Sequence, residues 1–74
     1  MHLNTEITRD GTMVVTRDNG EQVATIECSD RYAKYWVNMA DGYVFSAMPM
    51  NSLEAAQYLV LASVLEFDAK EQGQ

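Results

Sequence analysis

The chain has 74 residues, of which 47% are hydrophobic, and its 11 acidic and five basic residues give a formal net charge of −6. This length predicts one small domain spanning residues 1–74, and the hydrophobic content argues against a disordered chain. The negative charge argues against nucleic acid as a partner, and the single cysteine excludes an intrachain disulfide and a cysteine-based zinc site.

Neither end of the chain nor its interior resembles a targeting or membrane segment. Residues 1–6 contain no basic start and no apolar core, so we do not expect a signal peptide. The longest apolar run, residues 58–65, is far shorter than the ~20 residues that span a bilayer. We therefore predict a soluble cytoplasmic protein without a membrane partner.

Residues 1–48 predict five strands joined by short turns. This part of the chain is rich in Thr, Val and Tyr, and three dipeptides in it favour hairpin turns because Gly and Asn accept a positive φ. Short connections make consecutive strands neighbours, so we expect an antiparallel meander. The turn dipeptides are Asp10-Gly11, Asn19-Gly20 and Asp41-Gly42. The predicted strands are 3–8, 12–18, 21–28, 32–39 and 43–48.

Each turn also predicts a strand register. A two-residue turn at Asn19-Gly20 would pair the residues on either side of it. The other two turns are predicted as three-residue loops that end in a glycine bulge, because that register keeps the apolar residues on one face. The predicted pairs are Asp18–Glu21, Val15–Ala24, Met13–Ile26, Thr8–Thr12 and Met39–Tyr43.

Residues 51–71 predict one helix, since they are rich in Ala, Leu and Glu and contain no Gly or Pro. Asn51 with Glu54 has the spacing of a capping box, and Ser52 is an alternative cap. Pro49 is expected just outside the helix. The predicted fold class is α+β, a five-stranded antiparallel meander packed against one C-terminal helix in a two-layer sandwich.

The predicted helix is apolar on two sides. One stripe is expected to cover the inner face of the sheet, and a second apolar set lies roughly opposite. Either the sheet curls around the helix, or a partner covers the second set. The first stripe is Leu53, Ala56, Val60, Val64 and Phe67, and the second set is Ala55, Tyr58, Leu59, Ala62 and Leu65. The predicted sheet face is Leu3, Ile7, Met13, Val15, Ala24, Ile26, Val37 and Phe45.

Trp36 is the only tryptophan, and the predicted register points it outward beside Tyr32 and Lys34. Exposed aromatic residues in such a setting are typical anchors of protein interfaces. The alternative is that Trp36 covers the back of the sheet together with nearby valines. Stacking of single-stranded nucleic acid on residues 31–36 is less favoured than a solvated surface.

Two roles are possible for the acidic side chains in the turns, which include Asp10, Asp18 and Glu21. Such charges usually provide solubility and protect sheet edges. Alternatively, they imitate phosphates and occupy a nucleic-acid groove on another protein.

No combination of residues predicts catalysis or metal binding. His2 is the only histidine and lies in the terminus, and Cys28 is expected to be a buried structural thiol on the core face. We therefore predict that the protein is not an enzyme, and we predict no catalytic residue, no cofactor and no metal site.

The chain resembles the small phage-encoded inhibitors of bacterial defence of the anti-CRISPR type. The shared traits are small size, acidity, a helix with more apolar surface than its sheet can cover, and the outward Trp36. This resemblance covers architecture and charge, without a shared motif. It implies a non-enzymatic inhibitor that binds a CRISPR effector complex in the cytoplasm of the host cell and blocks access to DNA. The residues expected to contact the partner are Trp36, Tyr32, Lys34, Asp10, Asp18 and Glu21.

The alternative function is that of a self-associating structural or accessory module. In this reading, two copies form a homodimer through the second apolar set of the helix. The expected dimer interface is Tyr58, Leu59, Ala62, Leu65 and Ala55.

Overall fold

The structure, a computed structural model, describes residues 2–29, 34–43 and 46–73, with side chains described up to residue 71. Five strands form one antiparallel sheet in the order β1-β2-β3-β4-β5, and one helix follows them. The predicted α+β arrangement of a meander and a C-terminal helix is confirmed. The elements are β1 Leu3–Ile7, β2 Met13–Arg17, β3 Gln22–Ser29, β4 Lys34–Met39, β5 Ala47–Met50 and α1 Leu53–Gly73.

The β1–β2 hairpin has the predicted register. Thr8 N–H donates to Thr12 O at 2.8 Å, and Ile7 lies opposite Met13. Gly11 ends the three-residue loop with φ 92°, a backbone conformation that side-chain-bearing residues avoid. The hairpin therefore places Leu3, Thr5 and Ile7 on the inner face of β1, as the sequence indicated.

The β2–β3 turn differs from the prediction. Arg17 N–H donates to Glu21 O at 2.8 Å, so three residues rather than two form the loop, and Asp18 does not pair with Glu21. An irregularity between Val15 and Thr16 then shifts the register by one residue. This bulge restores the predicted pairs Val15–Ala24 and Met13–Ile26.

The β4–β5 connection was predicted wrongly. Met39 N–H donates to Ser46 O at 2.9 Å, so Met39 pairs with Ser46 and not with Tyr43. Tyr43 instead packs against Phe67 of the helix, with ring centroids 4.6 Å apart and ring planes tilted by 33°. Met48 and Met50 therefore lie opposite Val37 and Tyr35. Phe45 and Tyr32 lie outside the described residues, so their predicted positions stay untested.

Pro49 lies within β5, opposite Trp36, rather than between sheet and helix. An edge strand tolerates proline when the missing N–H faces away from the ladder. The chain then reaches the helix in two residues, and Ser52 is the cap: its Oγ accepts from Ala55 N–H at 3.1 Å. The primary prediction of Asn51 as cap is wrong, and the alternative is correct.

Replacing Ser52 by Ala is expected to destabilise the fold by about 1 kcal/mol, because the Ala55 N–H loses its acceptor at the helix start. The matched control is Asn51→Ala, which removes a neighbouring exposed polar side chain that makes no described bond to the helix start. Chemical denaturation of both variants measures the difference. Equal losses in the two variants would contradict the assignment of Ser52 as cap.

The core lies between α1 and the inner face of the sheet, with the helix packed mainly on β3, β4 and β5. The first predicted helix stripe is confirmed at its centre, where Ala56, Val60 and Val64 are at most 1% exposed. Ile7 was expected under the helix but is 67% exposed, because β1 lies beyond the strands that the helix covers. The buried hydrophobic residues are Val15, Val23, Ala24, Ile26, Val37, Met39, Ala56, Val60 and Val64.

Candidate protein-binding surfaces

The outward side of α1 exposes three large apolar side chains. Tyr58 is 72% exposed, Leu61 37% and Leu65 49%. They are three and four residues apart, so they share one side of the helix. We call Tyr58, Leu61 and Leu65 the exposed helix face.

The exposed helix face differs in part from the second apolar set that the sequence indicated. Leu59 is partly buried and packs against the core, and Ala55 and Ala62 are also partly buried. Leu61 was missed, although its spacing from Tyr58 and Leu65 could have identified it. The sheet therefore does not enclose the helix, and Tyr58 and Leu65 remain accessible to solvent.

A shallow groove of about 250 Å³ runs between β1 and α1. Leu3 and Thr5 form its strand side, Val60 and Leu61 form its helix side, and we call it the β1 groove. It arises because the helix lies over the later strands and leaves the inner face of β1 partly open. Leu61 belongs to both surfaces, so the β1 groove and the exposed helix face are continuous.

Arg17 fastens the C-terminal half of the helix to the sheet. Its Nη2 donates to Asp68 Oδ1 at 2.8 Å and its Nη1 donates to Asp68 Oδ2 at 3.1 Å, which makes a bidentate salt bridge. Arg17 Nη2 also donates to the Tyr43 hydroxyl at 3.2 Å, and Arg17 Nε lies 3.2 Å from Glu21 Oε1. We call these four residues the Arg17 clamp.

The Arg17 clamp shifts the titration of both partners in its ion pair. The hydrogen bond from Arg17 lowers the pKa of Asp68 below its ordinary value. The hydrogen bond to Asp68, and then the one to Tyr43, raise the pKa of Arg17. Because the pairing favours both charged forms, this ion pair holds α1 to β2.

The stability that Asp68 contributes is expected to disappear in acid. A carboxylate whose pKa is lowered by folding stabilises the fold above its unfolded pKa of about 4, and this contribution is lost as pH falls through the lower folded-state pKa. Thermal unfolding should therefore show a higher Tm for the parent chain than for Asp68→Asn at neutral pH. The difference should shrink below about pH 4. A difference that stays constant down to the acid limit would contradict this role.

Trp36 lies on the back of the sheet and is 38% exposed. Its cross-strand neighbours are Glu27 and Pro49. Lys34 is exposed on the same strand, and Tyr32 lies outside the described residues. The predicted outward position of Trp36 is confirmed, and its contact with a partner stays a prediction. Trp36 is only half as exposed as Tyr58, so the alternative of covering the back of the sheet also remains.

The turn acids do not form one surface. Asp10 lies at one end of β2, while Asp18 and Glu21 lie at the other. Each has a local partner: Asp10 accepts hydrogen bonds from Thr8 Oγ1 and Thr12 N–H, which lower its pKa, and Asp18 accepts from Asn4 Nδ2 at 3.1 Å. Glu21 belongs to the Arg17 clamp. Their positions favour local structural roles over a joint imitation of phosphates.

Cys28 is exposed, not buried as predicted. It lies opposite Tyr35 and lines a small depression together with Ile7, Met13 and Leu53. Across the described residues, no group of three or more His, Cys, Asp or Glu side chains is placed to hold a metal ion. No helix in the described ranges combines the length and apolarity that crossing a membrane requires.

Comparison with protein-family models, with curated proteins and with solved structures finds no match for this chain.

Proposed function

We propose that this chain is a non-enzymatic protein that binds another protein through the exposed helix face. The observation that carries the proposal is the exposure of Tyr58, Leu61 and Leu65 on the side of α1 that the sheet leaves uncovered. A small domain gains little from leaving such side chains in water, since burying each is worth about 1.5–3 kcal/mol. Adjacent apolar residues exposed together are typical of interaction sites.

The geometry of the surface supports binding of a protein over binding of a small molecule. The β1 groove is shallow, and its walls are mostly apolar, without converging charged groups. Small-molecule sites usually enclose most of their ligand and use a few precisely placed polar groups. A larger partner could instead cover the β1 groove and the exposed helix face at once, since Leu61 joins them.

The class of partner follows from the resemblance to anti-CRISPR proteins, which is based on size, charge and architecture. In this proposal the partner is a CRISPR effector complex, and the bound protein prevents the complex from reaching DNA. The net charge of −6 suits a surface that normally attracts nucleic acid. Trp36 and Lys34 on the back of the sheet are a second candidate contact region.

Binding to purified CRISPR effector complexes, followed by target-DNA binding in the presence of the protein, tests this proposal. We expect a stable complex that no longer binds DNA, and at least about a tenfold loss of affinity in Leu65→Glu, since each 1.4 kcal/mol corresponds to tenfold. The matched control is Gln22→Glu, which adds the same charge at an exposed position of β3. Absence of binding to any effector type would contradict the effector as partner.

Self-association through the helix is the second candidate. The same exposure supports it, because two copies could bury Tyr58 and Leu65 against each other across a two-fold axis. Sedimentation should then give twice the chain mass of 8.3 kDa, and Leu65→Glu should restore the monomer. A dimer that persists in Leu65→Glu would contradict pairing through the helix.

A further inference from the structure

We propose that the free edge of β1 pairs with β1 of a second copy, joining the two sheets into one continuous antiparallel sheet. The β1 edge is a different surface from the exposed helix face, so this pairing is independent of the proposed function. Three features support it: the backbone groups that β1 leaves unpaired, the contrast between the two sheet edges, and the sequence of β1 itself.

The register of the first hairpin determines which way the backbone of β1 points. Thr8 and Thr12 form a hydrogen-bonded pair, and such pairs alternate along an antiparallel ladder. The backbone N–H and C=O groups of Leu3, Thr5 and Ile7 therefore point away from β2. They form a row of donors and acceptors along the open edge.

The two edges of the sheet are protected differently. At the other edge, Met39 of β4 donates its N–H to Ser46 O, just before β5, so by the same alternation the residue at position 49 points its backbone away from β4. That residue is Pro49, which has no N–H, so the β5 edge lacks a donor where a new strand would need one. β1 contains no proline and no lysine, and its ladder with β2 is regular. Only the β1 edge is thus ready for pairing.

The sequence of β1 is complementary to itself in antiparallel register. Centred on Thr5, the pairing sets Leu3 opposite Ile7 on the inner face and Asn4 opposite Glu6 on the outer face. Apolar residues then meet apolar residues, and each carboxylate meets an amide rather than the other carboxylate. The outward backbone groups of Leu3, Thr5 and Ile7 also face each other in this register, so all of them find partners.

This pairing also accounts for the exposure of Ile7. In the single chain Ile7 is 67% exposed on the inner face, beyond the strands that the helix covers. In the pair, Ile7 of one copy lies beside Leu3 of the other, and Leu3 lines the β1 groove. The ladder is only five residues long, so the interface falls in the small, weak class below about 1,200 Å². A second copy therefore binds reversibly and only at raised concentration.

Sedimentation equilibrium of the full chain, from the micromolar to the millimolar range, tests the proposal. We expect a reversible monomer–dimer equilibrium. Thr5→Pro should abolish the dimer, because it removes an outward N–H without removing a bond to β2. Thr5→Val, which keeps the N–H, should retain it. Ile7→Asp should weaken it at least about tenfold, because an apolar contact is lost twice in a symmetric pair.

Concentration-dependent hydrogen exchange of the parent chain keeps the test independent of whether Thr5→Pro folds. The amides of Leu3, Thr5 and Ile7 should become protected as concentration rises, while those of Asn4 and Glu6 change little. A monomer at every concentration would overturn the proposal. A dimer lost in Leu65→Glu but retained in Ile7→Asp, without protection of the β1 amides, would also overturn it and indicate pairing through the helix.

Discussion

Replacing Val60 by Asp is expected to unfold the chain, whereas the same replacement at Leu61, the next residue, is expected to leave it folded. Val60 is 1% exposed at the centre of the core, and Leu61 is 37% exposed on the outward side of α1. A buried carboxylate without a partner lowers the free energy of unfolding by several kcal/mol. That is a large share of the total, which is about 5–15 kcal/mol for a typical domain. At Leu61 the carboxylate stays in water.

Circular dichroism with thermal unfolding distinguishes the two variants. Leu61→Asp should retain helix and sheet signals and a cooperative transition, and Val60→Asp should lose the transition. Two equally unfolded variants would mean that the helix is buried on both sides. That result would remove the exposed helix face and the proposal that depends on it.

Truncation of Ile26 to Ala is expected to lower the free energy of unfolding by about 2–5 kcal/mol. The substitution leaves a cavity under the helix, where the surrounding side chains cannot collapse to fill it. Ile7→Ala removes the same atoms from the same cross-strand row, yet it should cost under about 1 kcal/mol, because Ile7 is 67% exposed and Ile26 only 2%. The two residues lie on either side of Met13 in the sheet. The comparison therefore measures where the helix coverage ends.

Urea unfolding of both variants at low protein concentration gives the difference in the free energy of unfolding. Low concentration matters because pairing through β1 would add a contribution from Ile7. Similar losses in the two variants would contradict the placement of α1 over the later strands. The Ser52 and Asp68 variants concern the ends of the helix and are independent of this comparison.

The fold was predictable from local signals because its connections are short. Asp10-Gly11 determined the first hairpin, and Gly11 has the positive φ that the turn requires. The helix stripe around Val60 followed from periodicity alone. The meander order then needed no further information, since each strand pairs with the next in the chain.

Two of the failures came from contacts between residues far apart in the chain. Tyr43 was assigned to a strand because no nearby residue indicates its actual contacts. Its ring packs against Phe67, and its hydroxyl accepts a hydrogen bond from Arg17. The Arg17–Asp68 pair joins residues 51 positions apart and has no local signature. Ser52 and Asn51 are equally good caps by residue type, and the end of β5 at Met50 decided between them.

The candidate surfaces were predictable only in outline. An apolar excess on the helix is visible in the sequence, and it correctly singled out Tyr58 and Leu65. Which residues the sheet covers depends on the lateral position of α1, which the sequence pattern does not contain. For that reason Leu59 was assigned to the surface and Leu61 was overlooked.

Site-specific photo-crosslinking in bacterial cells that contain a CRISPR effector complex tests directly whether the exposed helix face binds that complex. A photoreactive residue at position 61, in the middle of the exposed helix face, should crosslink to a subunit of that complex. The same residue at position 22, exposed on the sheet, should not. Crosslinks to the effector from position 22 but none from position 61, or none from either position, would contradict binding of the effector through the exposed helix face.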